Sequence, residues 1–342
     1  MIYYLGLILS VFVVRLLSLQ FRKNDKAVFF TLTALIVILF QGLRSFSVGT
    51  DLLSYIPSYS RIGRNIPFSL TAKFMNYEIG YILLNKLIYI LGFNERGFLI
   101  IVTIIIQAPI FYTMYKYSES PLLSVFSYFA FGNFIMTFSG LRQAISMSLC
   151  FVAYVFIKNK KPIWFILIVF LACCFHKSAM ICFLLYPLYY IRVNKIAFPF
   201  ILLGIVACFI FRNQIFALLS KIYYGAEKET QATGAYTMFI MYLLLYVIAN
   251  VIKCDDVEYK GLTNILLVLV CVYSLASIHS FITRMSYPIS LYLTLLIPRI
   301  VSGIKLKTEK DHFVVYGLCN LLCIACFMYF LGGLNTLPFS FM

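Results

Sequence analysis

Apolar runs of about 15 to 20 residues recur along the whole chain, and they restrict its possible folds more than any other feature. Wound as an α-helix at about 1.5 Å per residue, such a run crosses about 30 Å of hydrocarbon. The composition agrees, because 63% of the 342 residues are hydrophobic and only 12% are charged. A soluble domain carries about a quarter charged residues. The sequence therefore predicts a protein that crosses a membrane many times.

The runs are continuous, as at 32–40, whereas a membrane β-barrel would alternate apolar and polar residues. Helices also satisfy their own backbone in lipid, so we predict an all-α polytopic membrane protein with one transmembrane domain over 1–342. Two long connections are expected to be extracytoplasmic loops, at 44–76 and 212–235, the second as a cover over a ligand. About thirteen apolar segments can be counted. They lie near 2–21, 27–43, 77–92, 97–115, 121–137, 141–157, 162–176, 178–192, 196–211, 236–253, 263–281, 285–302 and 313–332.

Basic residues between the runs indicate which connections are cytoplasmic. If every segment spanned, the basic clusters at 22–26 and 158–161 would lie on opposite sides of the membrane. The conflict disappears if the short segment 77–92, which carries Glu78 and Lys86, is an interfacial or re-entrant helix. About twelve transmembrane helices then remain, with both chain ends outside. This topology places the following residues at the non-cytoplasmic surface: Arg44, Asp51, Arg142, His176 and Arg284.

Composition and motifs also exclude several classes of function. The net charge of +16 does not indicate a nucleic-acid partner, because the basic residues are scattered between apolar runs as orientation signals. Most cysteines lie inside apolar runs and are interpreted as small buried hydrophobes. No nucleotide-binding Gly-rich loop, Asp-x-Asp pair or metal-ligand spacing occurs. We therefore expect no metal and no cofactor. Residues 1–20 lack a basic leader and a cleavage pattern, and are interpreted as a retained first helix.

The first candidate site follows the second apolar segment. Gly49 permits a tight turn, and Asp51 can cap a following helix that contains Tyr55. Arg44 and Asp51 are suited to pairing with each other or to facing a ligand. The alternative is an arginine that snorkels from a helix end beside an ordinary N-cap.

A second candidate is Arg142, followed by Gln143, at the start of the apolar stretch 144–156. The helix dipole opposes a buried arginine at that end, so an anion should compensate its charge. A phosphate fits this requirement, because arginine forks and helix N-termini both bind phosphate groups.

Two further candidates lie later in the chain. His176 stands between two apolar runs; its imidazole suits proton transfer near neutral pH, although a lone histidine is often a structural residue. Arg284 and Tyr287 are expected at the start of an apolar helix whose first turn tolerates Pro288. His279 is interpreted as structural.

With its candidate motifs in this order, the sequence resembles the EpsG family of bacterial membrane proteins. That family is related to Wzy-type polysaccharide polymerases. The resemblance covers about 40–290, with Leu52 where the family commonly has Thr. The matching residues are Arg44, Val48, Gly49, Thr50, Asp51, Tyr55, Gly140, Leu141, Arg142, Gln143, Ala144, Ala172, Phe175, His176, Ser178, Ala179, Arg284 and Tyr287. The resemblance implies a GT-C-like fold and metal-independent polymerisation of undecaprenyl-diphosphate-linked glycans, outside the bacterial cytoplasmic membrane.

In the implied reaction, arginines clamp the diphosphate and a base activates the acceptor hydroxyl. His176 is the first candidate base and Asp51 the second. The candidate diphosphate ligands are Arg142, Arg284 and Arg44, and the candidate contacts to the rest of the substrate are Gln143, Tyr55 and Tyr287. Membrane lipid and a chain-length regulator are further candidate partners.

Three alternative functions stay open. A transporter that flips lipid-linked sugars would line a pathway with charges and show internal repeats, whereas here the charges gather at one surface and no clear repeat is visible. Another membrane transferase, such as an O-antigen ligase or an acyltransferase, is a second alternative. A purely structural role is the third.

Overall fold

The computed structural model describes residues 1–64, 77–194, 196–224, 235–252 and 256–341. Apart from one isolated β-bridge between Arg44 and Phe341, every regular element in this part of the chain is a helix, so the all-α class is confirmed. Its α-helices in chain order are α1 Ile2–Ser18, α2 Asp25–Gly42, α3 Leu52–Gly63, α4 Ile79–Ile90, α5 Glu95–Tyr117, α6 Pro121–Ala130, α7 Asn133–Ser139, α8 Leu141–Val152, α9 Tyr154–Lys158, α10 Pro162–Cys173, α11 Leu185–Tyr189, α12 Ala197–Ile210, α13 Arg212–Tyr224, α14 Tyr236–Val251, α15 Val257–Ala276, α16 Ser280–Ser290, α17 Leu293–Ser302 and α18 Glu309–Phe330. Short 3₁₀-helices occupy Leu19–Asn24, Lys177–Leu184 and Gly333–Asn335.

Five helical stretches of the described chain are long and apolar enough to cross a membrane. The number rises to seven if the bent pairs α6 with α7 and α12 with α13 each count as one span. The chain is therefore a multi-pass membrane protein by helix length and composition. About twelve spans were expected. The difference arises because several apolar segments form only short helices, and because α1 and α2 fall in one continuous stretch, Ile2–Gly42, that is counted once. The shorter apolar stretches, of 10–17 residues, are Ile79–Ile90, Pro162–Cys173, Lys177–Tyr189, Tyr236–Val251 and Leu293–Ser302.

The two long connections contain helices that the sequence reasoning missed. The loop expected at 44–76 includes α3, and its residues 65–76 lie outside the described chain. The loop expected at 212–235 begins as α13, and its residues 225–234 also lie outside the described chain. Helix α3 forms because its apolar residues share one buried face, which is a tertiary effect on a stretch of mixed polarity. Helix α4 has 12 residues, about 18 Å at the usual helical rise, which is too short to cross a bilayer and suits the expected interfacial or re-entrant helix.

Residues Met1–Met180 and Leu306–Met342 form one compact unit. Helix α5 packs against α2 and α8, and α18 packs against α6. A buried polar network joins these layers: Gln107 Nε2 donates to Gln41 Oε1 at 2.7 Å, Gln41 Nε2 donates to Thr137 Oγ1 at 2.6 Å, and the Tyr128 hydroxyl donates to Gln107 Oε1 at 3.0 Å. Because an unpaired amide is costly in an apolar interior, this network specifies how the helices pack.

Residues Ile181–Lys305 form the second compact unit. One transmembrane domain over 1–342 stays a prediction. Helix α15 is its centre and packs against α11, α14, α16 and α17. Asp256 caps α15 by accepting a hydrogen bond from the Tyr259 amide at 3.0 Å. The same carboxylate accepts from Arg299 Nη1 at 3.0 Å, and Arg299 Nη2 pairs with Glu258 at 2.9 Å. These ion pairs fix α17 against the start of α15.

Candidate functional site

Arg44 is fully buried and is bound by backbone carbonyl groups. Its guanidinium donates to the carbonyls of Gln41 at 2.6 Å, Val48 at 3.2 Å and Phe138 at 2.9 Å. The Phe138 ring lies 5.0 Å from the guanidinium carbon. Burial lowers the pKa of Arg44, and these carbonyl contacts compensate for the lost hydration. This geometry favours a structural role, in which Arg44 ties the turn after α2 to the end of α7.

The turn at 45–50 is also held by the chain after α18. The Ser45 amide donates to the Ser340 carbonyl at 2.9 Å, and the Gly49 amide donates to the Asn335 carbonyl at 3.0 Å. Gly49 has φ of +110° and lies against the Phe138 carbonyl, which leaves no room for a side chain. The backbone around Asp51 is therefore fixed from two directions.

Asp51 is half-buried at the start of α3. Its backbone amide donates to Ser139 Oγ at 3.0 Å, which brings Asp51 close to the α7–α8 junction. Its backbone carbonyl accepts from Ser54 Oγ at 2.7 Å. The carboxylate makes no side-chain cap, and it forms no hydrogen bond or ion pair with any described residue. Asp51 thus offers an unpaired carboxylate beside the start of α8.

Arg142 is held by an acidic and an aromatic partner. Its Nη1 atom forms an ion pair with Glu78 Oε2, and its Nε atom donates to the Tyr55 hydroxyl at 3.2 Å. The Tyr77 ring lies 4.5 Å from the guanidinium carbon. Its Nη2 atom donates no hydrogen bond within the described chain. The Arg142 and Glu78 side chains retain 21% and 14% of their exposure, so a ligand can reach them.

The aromatic residues around Arg142 are packed on one another. The rings of Tyr55 and Tyr81 lie 5.5 Å apart, and so do those of Tyr77 and Tyr81. Burial raises the pKa of Tyr55, with the charge of Arg142 opposing that effect. Tyr55 therefore stays protonated and neutral while its oxygen accepts from Arg142. The packed rings stabilise the position of the guanidinium through cation–π contact and exclusion of water.

His176 caps the 3₁₀-helix Lys177–Leu184. Its Nδ1 atom accepts from the Ser178 amide at 3.2 Å and lies 2.7 Å from Ser178 Oγ. Because an amide can only donate, Nδ1 must be unprotonated, and in the neutral ring the proton is on Nε2. The His176 carbonyl lies 3.4 Å from Oγ of Ser146. Ser146 lies one helical turn after Arg142 in α8.

Direct contacts therefore connect the three candidate regions that lie in the first unit, around Asp51, Arg142 and His176. Asp51 contacts Ser139 at the α7–α8 junction, and Tyr55 contacts Arg142 on α8. The Gly80 amide donates to the Cys174 carbonyl at 2.8 Å, which brings α4 next to the His176 segment. Residues distant in sequence thus form one cluster at the start of α8.

In the second unit, Arg284 and Tyr287 lie in the middle of α16, not at the start of a helix. Helix α16 begins earlier because His279 Nδ1 accepts from the Phe281 amide at 3.0 Å and caps it. Pro288 falls in the last turn and not in the first. The expected helix start at Arg284 is wrong, since the cap signal came from a histidine, which sequence rules do not weigh as a cap. His279 itself has the structural role that was expected.

Comparison with known protein families shows which family the chain belongs to. The model of the EpsG family matches residues 27–341, which is most of the sequence. The chain belongs to the EpsG family. No curated protein and no solved structure gives a significant match. The resemblance inferred from the motifs is therefore confirmed at the level of the family.

Two residues important in this EpsG-family site were missed by sequence reasoning. Glu78 was noted only as a charge that argued against a span, yet it supplies the anion that Arg142 was expected to need. Arg96 donates from Nη1 to the carbonyls of Gly42 and Arg44, both at 2.7 Å, and fixes the end of α2. An acidic residue directly before an apolar helix was the available signal for Glu78. Gln143, predicted to contact substrate, is buried in the first turn of α8.

Metal binding has no candidate group in the described chain, where no three His, Cys, Asp or Glu residues are grouped suitably for an ion. The loop at 212–235, which was expected to cover a ligand, is only partly described. Lys221 is exposed at the end of α13, and Lys228 lies outside the described residues.

Proposed function

We propose that this EpsG-family protein is a polysaccharide polymerase. It transfers a growing glycan from undecaprenyl diphosphate to a sugar hydroxyl of a lipid-linked repeat unit, at the outer face of the bacterial cytoplasmic membrane. The observation that carries the proposal is the cluster at the start of α8, where a partly exposed guanidinium, an unpaired carboxylate and the backbone of the His176 segment come from separate regions of the chain. Family membership supports a role in polysaccharide synthesis.

The proposed chemistry needs charge stabilisation more than it needs a cofactor. The donor already has diphosphate as its leaving group, so the reaction requires neither ATP nor a nucleotide sugar. As the anomeric C–O bond breaks, negative charge grows on the diphosphate. Arg142 can donate to it from Nη2, and a charge-assisted hydrogen bond in a poorly hydrated site stabilises such a transition state by several kcal/mol.

The acceptor hydroxyl must lose a proton as it attacks the anomeric carbon. The geometry favours Asp51 over His176 as the base, which reverses the order expected from the sequence. The neutral His176 ring uses its Nδ1 lone pair to cap a helix, and the proton on Nε2 leaves it no second lone pair. The Asp51 carboxylate is unpaired in the described chain, so its oxygen lone pairs can accept the proton.

Arg44 and Arg284 have different roles in the proposed reaction. Arg44 acts as a positioning residue, because its guanidinium is occupied by backbone carbonyls. Contacts of Arg284 with diphosphate, and of Tyr287 and Gln143 with substrate, stay predictions, as does a chain-length regulator as partner.

We also propose a GT-C-like fold with about twelve membrane spans, in which the start of α3 and the His176 segment face the outside of the cell. Thr50 and Lys177 are both exposed in the first unit. In a background without native cysteines, cysteines at these two positions should react with an impermeant thiol reagent added outside intact cells. Labelling only after the cells are opened would contradict the proposed orientation.

The decisive experiment uses full-length protein purified in detergent and a single lipid-linked repeat unit. We expect a ladder of longer lipid-linked glycans and release of undecaprenyl diphosphate, without metal or nucleotide. A ligase would move glycan to a different terminal acceptor, an acyltransferase would modify it without lengthening it, and a transporter would change no bonds. If folded protein produces no ladder, the proposed polymerase function is refuted.

A further inference from the structure

The ion pair between Arg142 and Glu78 closes the site that the proposed function assigns to the donor diphosphate. Arg142 lies in the first turn of α8, where the helix dipole makes an isolated positive charge unfavourable. Glu78 neutralises it when no substrate is bound. An incoming diphosphate would meet this carboxylate beside the same guanidinium, and like charges at such short range repel each other strongly.

We propose that Glu78 is an exchangeable counter-anion: diphosphate displaces it from Arg142 when the donor binds, and Glu78 recovers Arg142 when the diphosphate product leaves. The inference rests on the proposed function for the identity of the ligand. Glu78 is a positioning residue here, because it acts through Arg142 and takes part in no bond change.

The surrounding contacts suit such an exchange. Tyr55 and Tyr77 hold the guanidinium by a hydrogen bond and a ring contact that do not involve Glu78. Arg142 would therefore keep its position when the carboxylate leaves. Both charged side chains are partly exposed, and Glu78 lies at the N-cap of α4 with an extended backbone, outside the helix. Its carboxylate can turn away without unwinding the helix.

The exchange has a consequence for turnover. A clamp that binds the transition state through charge also binds the charged product, and release of that product can limit the rate. A carboxylate that competes for the guanidinium weakens product binding and speeds release. Substituting Glu78 should therefore strengthen diphosphate binding while slowing repeated turnover.

Glu78→Gln tests this in the full-length protein, because glutamine can still accept a hydrogen bond from Arg142 but carries no charge. Inorganic diphosphate is the probe, with affinity measured by titration calorimetry. We expect binding at least about tenfold tighter than in the wild type, because a like charge has been removed. With lipid-linked repeat unit, steady-state elongation should be slower than in the wild type and more sensitive to inhibition by undecaprenyl diphosphate.

Two controls make the result specific. Glu95→Gln removes a charge at the start of α5, where the carboxylate accepts from Ser60 at 2.6 Å and does not contact Arg142; its affinity for diphosphate should match the wild type. Arg142→Gln should lose diphosphate binding, and retained binding there would place the anion elsewhere and overturn the inference.

The remaining outcomes are also decisive. Unchanged or weaker diphosphate binding in Glu78→Gln would refute the exchange. Glu78→Ala removes the same charge and should also bind more tightly. If neither variant folds, the carboxylate is structural and the inference is wrong. If the exchange is seen but no glycan ladder forms with wild-type protein, the proposed function fails while the anion site stands.

Discussion

At the scale of single residues, the contrast between two arginines separates structural support from ligand binding. The donors of Arg44 are directed to backbone carbonyls in a fully buried setting. Arg142 contacts the side chains of Glu78, Tyr55 and Tyr77 and stays partly exposed. Its Nη2 atom donates to no residue of the described chain. Only a guanidinium of the second kind can bind a ligand without first breaking the fold.

Arg142→Lys should lower the elongation rate by about a hundredfold or more, the usual effect of losing a transition-state donor. A lysine amine keeps the charge, but it cannot donate to Tyr55 and to ligand oxygens together in the geometry of the guanidinium. The measurement is elongation by purified protein, with thermal unfolding in detergent to show that the variant folds. A wild-type distribution of glycan lengths would contradict the diphosphate contact.

Two substitutions of His176 distinguish its cap from a catalytic role. His176→Ala removes the acceptor for the Ser178 amide and should destabilise the protein by about 1 kcal/mol, as loss of a cap does. His176→Asn supplies an oxygen in a similar place and should restore the stability. With Asp51 as the base, the asparagine variant should keep most of its elongation rate. A stable but inactive asparagine variant would return the base role to His176.

At the scale of elements, the turn between α2 and α3 depends on close backbone packing. Gly49 adopts a left-handed backbone conformation, and a side chain there would meet the carbonyl that accepts from Arg44. The Phe138 carbonyl therefore contacts both the Gly49 backbone and the Arg44 guanidinium. These contacts fix the turn that positions Asp51.

Gly49→Ala should destabilise the first unit by about 1 to 3 kcal/mol, because alanine is strained at this φ and displaces the Phe138 carbonyl. Elongation should fall with it, since Asp51 follows directly. Gly317→Ala is the matched control: Gly317 lies in α18 with open space around it, so thermal unfolding should stay close to that of the wild type. Equal unfolding temperatures for both variants would show that the Gly49 turn is not under this constraint.

At the scale of the whole molecule, residues from the two ends of the chain pack within the first unit. The Tyr4 hydroxyl donates to the Thr336 carbonyl at 3.0 Å. Phe339 stacks on Phe40, with ring centroids 4.3 Å apart, and lies 5.3 Å from the Tyr4 ring. These contacts hold the segment after α18 against the turn that carries Gly49.

Phe339→Ala should cost about 3 to 5 kcal/mol of unfolding free energy, the usual loss for a buried aromatic ring. Elongation should also fall, because the released segment no longer supports the turn before Asp51. Phe313→Ala is the control, since that ring is 81% exposed on α18 and should change stability little. Thermal unfolding and elongation of both variants provide the test, and an active, stable Phe339→Ala protein would show that the segment is dispensable.

The sequence by itself determined the membrane class, the helical fold and the family. Long apolar runs allow few structures, because a backbone in lipid must satisfy its own hydrogen bonds. Local chemistry also predicted two local features: Arg142 was expected to need an anion, and Gly49 to make a turn. These inferences succeeded because each depends on residues that are close together in the chain.

Only the tertiary structure decided which partners those residues have. Glu78 meets Arg142 across a sequence separation of 64 residues, and no local pattern specifies that distance. Arg44 appeared equivalent to Arg142 until burial separated their roles. His176 became a helix cap through the position of one amide. Long-range packing set these contacts, because desolvation and geometry depend on neighbours that are brought together only when the chain folds.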